Sequence, residues 1–287
     1  SRQAHRYLHI FLCRDFQQMD FSRYNPEGSL LRRDQKELLR ILMTVAEICR
    51  DNGIQWWVDS GTLLGACRHG GFIPWDDDID IVLFKEDYER LEKILCNMDN
   101  DEFVFHCIKT DKDYVNPFGK FRKREGAVKV RNKRYDYYKW AGVGIDIFAI
   151  EKNNYLATTL GRFFYKLFIN YTVHIRCGWL RHSLISFGQF ICFKLIFPLL
   201  RLIGKINPKG EYHYALGTGW SKTAYRPEIL LPLSEVEFEG VRMPAPYDAD
   251  AYLKNLYGDW RKLPTEAQIK KAIHCQEYKD EIFGKEQ

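Results

Sequence analysis

Asp76, Asp77, Asp78 and Asp80 crowd into five consecutive positions, next to residues suited to phosphate and metal chemistry. Asp78 and Asp80 stand two apart at the head of an apolar run. A strand there puts both carboxylates on one face and turns Ile79 and Ile81 to the core. Two carboxylates held side by side repel, and an oxygen-liganded divalent cation is their natural partner. Mg²⁺ is the expected cofactor, with Mn²⁺ as the alternative. Asp76 and Asp77 lie at the strand mouth, where either can complete the metal shell or act as a base. Asp146 sits in Gly144-Ile145-Asp146-Ile147-Phe148, and an acid in a buried strand is expensive unless paired or metal-bound. It is read as the third metal ligand beside Asp78 and Asp80, with an ion pair to an Arg of 122–134 as the alternative.

Upstream, Ser60-Gly61-Thr62 and Gly65 form a small-residue turn before a short helix, where free N–H groups attract phosphate. The spacing fits neither GxxxxGK[ST] nor GxGxxG. Arg68 and His69 fall between this turn and the carboxylates. Arg68 can grip phosphate oxygens, and His69 can donate a hydrogen bond or move a proton. Lys120 and Arg122 alternate on a strand and are candidates for the same phosphates.

The elements that hold these residues follow from periodicity and caps. Ser29 caps a helix whose apolar face runs from Leu31 to Cys49, and Asn52-Gly53 stops it. Strands are expected at Ile54–Val58, Asp78–Phe84, 102–109, 115–122, 126–131 and Val143–Ile150, with a helix at Glu86–Asn97. Arg68–Asp77 reads as a loop. Further on, Val236–Met243 reads as a hairpin turning at Glu239-Gly240, and Asp248 caps a helix at Ala249–Tyr257 closed by Gly258. Pro264 opens a last helix carrying His274. The expected divisions are a lead segment 1–28, a core 29–154, a helical insertion 155–210, and a part 211–287 that completes the core.

The net charge is only +5, but it is unevenly placed. Residues 119–134 and 155–206 each carry +7, leaving −9 for the rest. With Phe121 as its only aromatic, 119–134 lacks the interleaving of a dedicated nucleic-acid binder, so no nucleic-acid partner is expected. The eight cysteines form no CxxC pair and are scattered through apolar runs, as buried thiols in a reducing compartment would be. No secretory signal is read at the N-terminus, and the expected location is cytoplasmic. Segment 155–206 is aromatic, basic and free of acids, and Ser183–Leu200 holds one charge, Lys194, in 18 residues. Three readings stand: a buried helical hairpin, a spanning helix, or an interfacial hairpin touching the inner face of the membrane.

The run GTLLGACRHGGFIPWDDDID resembles the LicD family, which includes bacterial phosphocholine transferases and, more distantly, fukutin and fukutin-related protein. The likeness extends to Tyr24-Asn25-Pro26-Glu27-Gly28-Ser29, Leu31-Arg32, Gln35, the Asp146 strand, Tyr225-Arg226-Pro227-Glu228, Glu237-Phe238-Glu239-Gly240 and Tyr257-Gly258-Asp259-Trp260. It covers about 24–150 and 217–274. It implies an α/β (α+β) nucleotidyltransferase-type mixed sheet with flanking helices, and 155–206 is then a variable insertion. Gly61-Thr62, Asp78-Ile79-Asp80 and Asp146 fill the family's turn and three carboxylate positions. Ala149 and Glu151 depart from the family's Pro and Asp, and there is no cysteine cluster like that of the fukutin-related branch.

The resemblance implies transfer of phosphocholine, or a similar phospho-alcohol, from CDP-choline or a related CDP-alcohol to a hydroxyl of a cell-surface glycan of lipopolysaccharide or teichoic-acid type, with CMP leaving. A lipid-linked glycan is the expected acceptor if 155–206 binds the membrane. A choline head needs an aromatic or anionic cage, for which Trp75, Tyr257 and Trp260 are candidates, ahead of Trp56 and Trp57. The rival is a nucleotidyltransferase attaching a nucleotide from an NTP to a sugar phosphate or other acceptor.

Overall fold

Ser29 starts the first long element. Its hydroxyl accepts the Arg32 N–H at 3.2 Å, and helix α1 (Leu30–Asp51) follows with Leu31, Leu38, Ile41, Leu42, Val45 and Cys49 buried on one side. The computed structural model describes residues 21–126, 136–219, 223–273 and 275–284. Its main sheet is built from β1 (Trp57–Val58), β2 (Asp80–Phe84), β3 (Phe103–His106), β4 (Gly119–Lys123), β5 (Gly144–Lys152), β6 (Tyr212–Tyr214) and β7 (Ala224–Tyr225). The order is β1-β2-β5-β4-β3, with β6 on the far half of β5 and β7 on β6. Strands β2 and β5 run parallel and the other pairs antiparallel, so the fold is α+β with a mixed sheet. Helix α2 (Ser60–His69) joins β1 to β2, and α3 (Lys85–Cys96) follows β2.

Strand alternation gives the sheet two different faces. One carries Ile81, Ile147, Ile145, Phe121 and Phe105 in register. It is covered by α1 and α3: Arg40 lies 5.0 Å over the Phe103 ring, and Tyr88 is 6.5 Å from Phe105. The other face carries a polar row across four strands, in which Asp80 pairs with Asp146, Asp146 with Lys120, and Lys120 with His106.

The differences from the sequence reading have local causes. Only Trp57 and Val58 pair in the first strand, opposite Val82 and Ile81 of β2. Helix α2 begins at Ser60 and runs through His69, so Arg68 and His69 close a helix instead of lying in a loop. Strand β2 begins at Asp80, and Asp78 lies just ahead of it. Nearly all of the strand expected at 126–131 falls outside the described residues.

Beyond β5, helix α4 (Tyr155–Phe168), a 3₁₀ turn (Asn170–His174) and helix α5 (Gly178–Gly204) form the insertion. On α5 the buried positions run Arg181, Ile185, Gly188, Cys192, and then Phe197, Leu200, Gly204. The five-residue step from Cys192 to Phe197 is taken up by a π segment, Phe190–Ile196, whose extra residue turns the later stripe back to the core. That stripe packs with Tyr165, Ile169, Leu216, Tyr114 and Tyr138 in a second hydrophobic cluster. The buried-hairpin reading therefore holds for the inner face, while the outer face is uncovered. The chain then returns to the sheet at β6 and continues through α6 (Pro227–Leu230) to a separate hairpin, β8 (Ser234–Phe238) and β9 (Val241–Ala245). Its two-residue turn puts Glu239 at φ 52° and Gly240 at φ 77°, as such turns require. Helix α7 (Ala249–Tyr257) follows. The expected last helix is two helices, α8 (Glu266–Ala272) and α9 (Gln276–Phe283). Thr265, not Pro264, caps α8 with a capping box, and His274 lies outside the described residues.

Candidate active site

The site starts at the turn after β1. Ser60 takes φ 46°, a left-handed conformation that swings the chain directly into α2. Asp59 before it is fully buried, and its two oxygens accept the hydroxyls of Tyr214 at 2.6 Å and Tyr252 at 2.7 Å. Burial pushes the Asp59 carboxyl up, and the two phenols oppose that shift. The Asp59 N–H donates to the Asp80 carbonyl at 3.0 Å, and the Asp80 N–H donates to Thr62 Oγ1 at 2.8 Å. The turn and the head of β2 are thus fastened together. Thr62 acts from within the core, while Ser60 and Gly61 open onto a cavity of about 610 Å³.

Asp76, Asp78 and Asp80 line that cavity. Carboxylate oxygens of Asp76, Asp77 and Asp78 lie within 4.8 Å of one another. Burial, then Asp78 and Asp77, pushes the Asp76 carboxyl well above the usual range. Burial, then Asp78 and Asp146, does the same to Asp80. Carboxylates that crowd and desolvate one another in this way fit a divalent cation. Asp77 differs from its neighbours: it is not a lining residue, and its Oδ2 accepts the Cys275 N–H at 3.2 Å ahead of α9.

Asp146 is brought beside Asp80 by the parallel register, and its N–H donates to the Ile79 carbonyl at 2.8 Å. Its carboxylate forms a buried ion pair with Lys120 on β4. Lys120 therefore meets the carboxylate row and is not among the residues that line the cavity. Arg122 lies further along the same face, donating to the Trp140 carbonyl at 2.7 Å and facing His106 Nδ1 at 3.3 Å. Arg68 is also buried. It donates to the Trp260 carbonyl at 3.1 Å and to His69 Nε2 at 3.0 Å, and desolvation lowers it to about 10. His69 is lowered to about 3 by burial and by Arg68, so the ring is neutral. It packs edge-on to Phe21 at 5.3 Å and to Trp75 at 6.0 Å. Neither Arg68 nor His69 lines the cavity. Arg68 ties the end of α2 to the chain after α7.

Of the aromatic candidates, Trp75 and Tyr257 line the cavity. Trp75 is fixed from behind by Tyr24, 5.2 Å away. Tyr257 is 46% exposed, and desolvation with the charges of Asp80, Asp59 and Asp76 raises its phenol. Trp260 is buried, its indole N–H on Asp250 Oδ1 at 2.9 Å, and it is not a lining residue. Trp56 and Trp57 are core residues.

Residues distant in sequence hold the Gly70–Asp76 loop, and the sequence reading gave them no role. Gln35 is fully buried: its Nε2 donates to the Asp76 carbonyl at 2.9 Å, while its Oε1 accepts the Asn25 amide at 2.9 Å and Arg32 at 3.3 Å. Arg32 also pairs with Glu239 at 2.7 Å, and Glu239 accepts the Phe72 N–H at 3.1 Å. The signal was a glutamine in the apolar stripe of α1. Gly65 lets α2 approach this loop: a Cβ there would lie 2.4 Å from the Gly71 carbonyl oxygen and 2.9 Å from the Ile73 nitrogen. Arg162 of α4 and Thr223 were likewise unforeseen, and both line the cavity.

A helix N-terminus and clustered carboxylates thus face one cavity on a mixed sheet. Residues 53–183 match the family described as LicD/FKTN/FKRP, nucleotidyltransferase domain. It is 25% identical over 267 residues to the lipopolysaccharide cholinephosphotransferase LicD of Haemophilus influenzae, covering 86% of this chain and 97% of that protein. Shorter matches reach the human ribitol 5-phosphate transferase FKRP, 39% identical over 72 residues and 14% of its length, and mouse FKTN, 34% over 77 residues and 16% of its length.

Proposed function

We propose that this chain moves phosphocholine, or a similar phospho-alcohol, from a CDP-activated donor to a hydroxyl of a cell-surface glycan, releasing CMP. The observation that carries the reading is the placement of Asp76, Asp78 and Asp80 in one cavity with the Ser60–Gly61 helix start, in a chain similar to LicD over most of its length. The N-terminus of α2 would receive phosphate oxygens. Trp75 and Tyr257 would face the choline head. Asp78 and Asp80 would hold Mg²⁺ or Mn²⁺, with Asp146 completing the set from β5. Such an ion, when bound, supplies positive charge against the donor diphosphate and the transition state. The acceptor oxygen attacks the phosphorus of the transferred group, the bond to the CMP oxygen breaks, and Asp76 takes the hydroxyl proton. Asp76 is preferred to Asp77 because it lines the cavity, whereas Asp77 is held by the Cys275 N–H.

The test is turnover of CDP-choline by Asp78→Asn and Asp80→Asn proteins. Each substitution is expected to cost on the order of 10²-fold or more, the scale of losing one preorganised electrostatic group. Near-normal turnover in both would sink the metal role.

A further inference from the structure

The outer face of α4 and α5 is apolar, uncovered and next to the cavity. Of 18 large hydrophobic side chains exposed among the described residues, 15 lie between Tyr155 and Ile206. Trp179 is 72% exposed, Leu199 62% and Phe187 58%. Exposed apolar side chains concentrated in one segment in this way mark an interaction site. The same segment carries seven Lys and Arg and no acid, and Lys166, Arg176, Lys194 and Lys205 are exposed. Arg162 lines the cavity and donates to the Gly219 carbonyl at 3.2 Å, and exposed Phe163 follows it directly in α4. Apolar face and cavity mouth therefore share one helix.

We infer that this face docks on an anionic lipid bilayer, setting the cavity mouth at the membrane surface, where a lipid-linked glycan presents its hydroxyl. The acceptor half of this inference rests on the phosphotransferase reading, and the docking half does not. Charge complementarity selects the occupant. Leucines and aromatics beside lysines, with no acid, match an interfacial helix on anionic headgroups. A second copy seated on the same face would set two all-cationic surfaces against each other. A protein interface core, for its part, is depleted in lysine. At 27 residues α5 is long enough to span a bilayer, but it is fastened lengthwise to the domain. Arg181 pairs with Asp113 at 2.6 Å near one end and Arg201 with Glu151 at 2.7 Å near the other, with the buried stripe between them. The helix lies in the membrane plane.

The experiment floats the full chain with vesicles of phosphatidylcholine alone and of phosphatidylcholine mixed with phosphatidylglycerol. It should float with the anionic vesicles. Each cation near such a surface strengthens binding about fivefold, so Lys166→Gln/Lys194→Gln/Lys205→Gln should lose on the order of a hundredfold. Trp179 emission should shift to the blue and be quenched by brominated acyl chains, a signal absent from Trp179→Phe. A folded chain that stays behind with anionic vesicles overturns the inference, as does an unquenched Trp179. So does a lipid-free dimer that Phe187→Ser and Leu199→Ser dissolve. Turnover on a soluble acceptor, read on the same samples, separates the two claims: turnover without flotation removes the docking and keeps the phosphotransfer, and flotation without turnover does the reverse.

Discussion

Replacing Gly65 by alanine sets two effects of opposite sign against each other. In a helix interior the change favours folding by about 0.8–1 kcal/mol. Against this, the new Cβ would sit 2.4 Å from the Gly71 carbonyl oxygen and 2.9 Å from the Ile73 nitrogen. Normal contact begins near 3.5 Å, so the loop must withdraw by about 1 Å. Both obstacles are backbone, so no rotamer change relieves them, and overpacking of this kind costs about 1–3 kcal/mol. The net expectation is destabilisation of up to about 2 kcal/mol. The loop that moves carries Trp75 and Asp76 into the cavity, and a displacement near 1 Å in a catalytic group costs about a hundredfold in rate. Urea unfolding gives the first quantity and CDP-choline turnover the second. A Gly65→Ala protein more stable than the parent and fully active would refute the close approach of α2 to the loop. Gly61→Ala is the internal comparison. Its Cβ would meet only the movable Asp76 Oδ2, at 2.6 Å, so turnover should fall while stability stays within about 1 kcal/mol of the parent.

Two other perturbations separate charge balance from catalysis. Lys120→Met strands the buried Asp146 carboxylate and should cost about 3–5 kcal/mol in urea unfolding. Adding Asp146→Asn should restore most of that loss, and no restoration would mean that the two do not act as a pair. His69 is held near 3 in the folded state and titrates near 6.5 when unfolded, so below 6.5 the unfolded chain binds the extra proton first. Stability should therefore fall as the pH drops from about 6.5 towards 3, and His69→Gln should flatten that slope with turnover changed only a few-fold. A hundredfold loss of turnover would instead make His69 a proton carrier.

The parts of the fold that were legible in the sequence are those whose ends carry local signals. Helix α7 runs from Ala249 to Tyr257 as expected, since Asp248 caps it through the Ala251 N–H at 3.0 Å and Gly258 ends it at φ 70°. Helix α2 was read as beginning with a turn, because its start depends on Ser60 adopting a left-handed conformation that only the surroundings enforce. The carboxylates at 76–80 are adjacent in the chain and could be seen directly. The partners of the buried acids outside that run could not: Tyr214 and Tyr252 reach Asp59 across 155 and 193 residues, and Lys120 meets Asp146 only through the strand order. Arg68 and Lys120 were read as phosphate ligands from charge and position, and the structure shows the partners that position alone did not: the Trp260 carbonyl for Arg68 and the Asp146 carboxylate for Lys120. A polar residue in an apolar helical stripe, as at Gln35, is the kind of signal that would have shown the loop support in advance.

The central claim is the transfer of a substituted phosphate from a CDP-activated alcohol, and product analysis tests it most directly. The chain would be given CDP-choline, CDP-ethanolamine, CDP-ribitol, CDP-glycerol or an NTP, each with Mg²⁺ and a glycan acceptor. The expected result is CMP from CDP-choline or one of the other CDP-alcohols, with the phospho-alcohol on the glycan. Pyrophosphate from the NTP, with a nucleotide on the acceptor and no CMP from any CDP-alcohol, would contradict it.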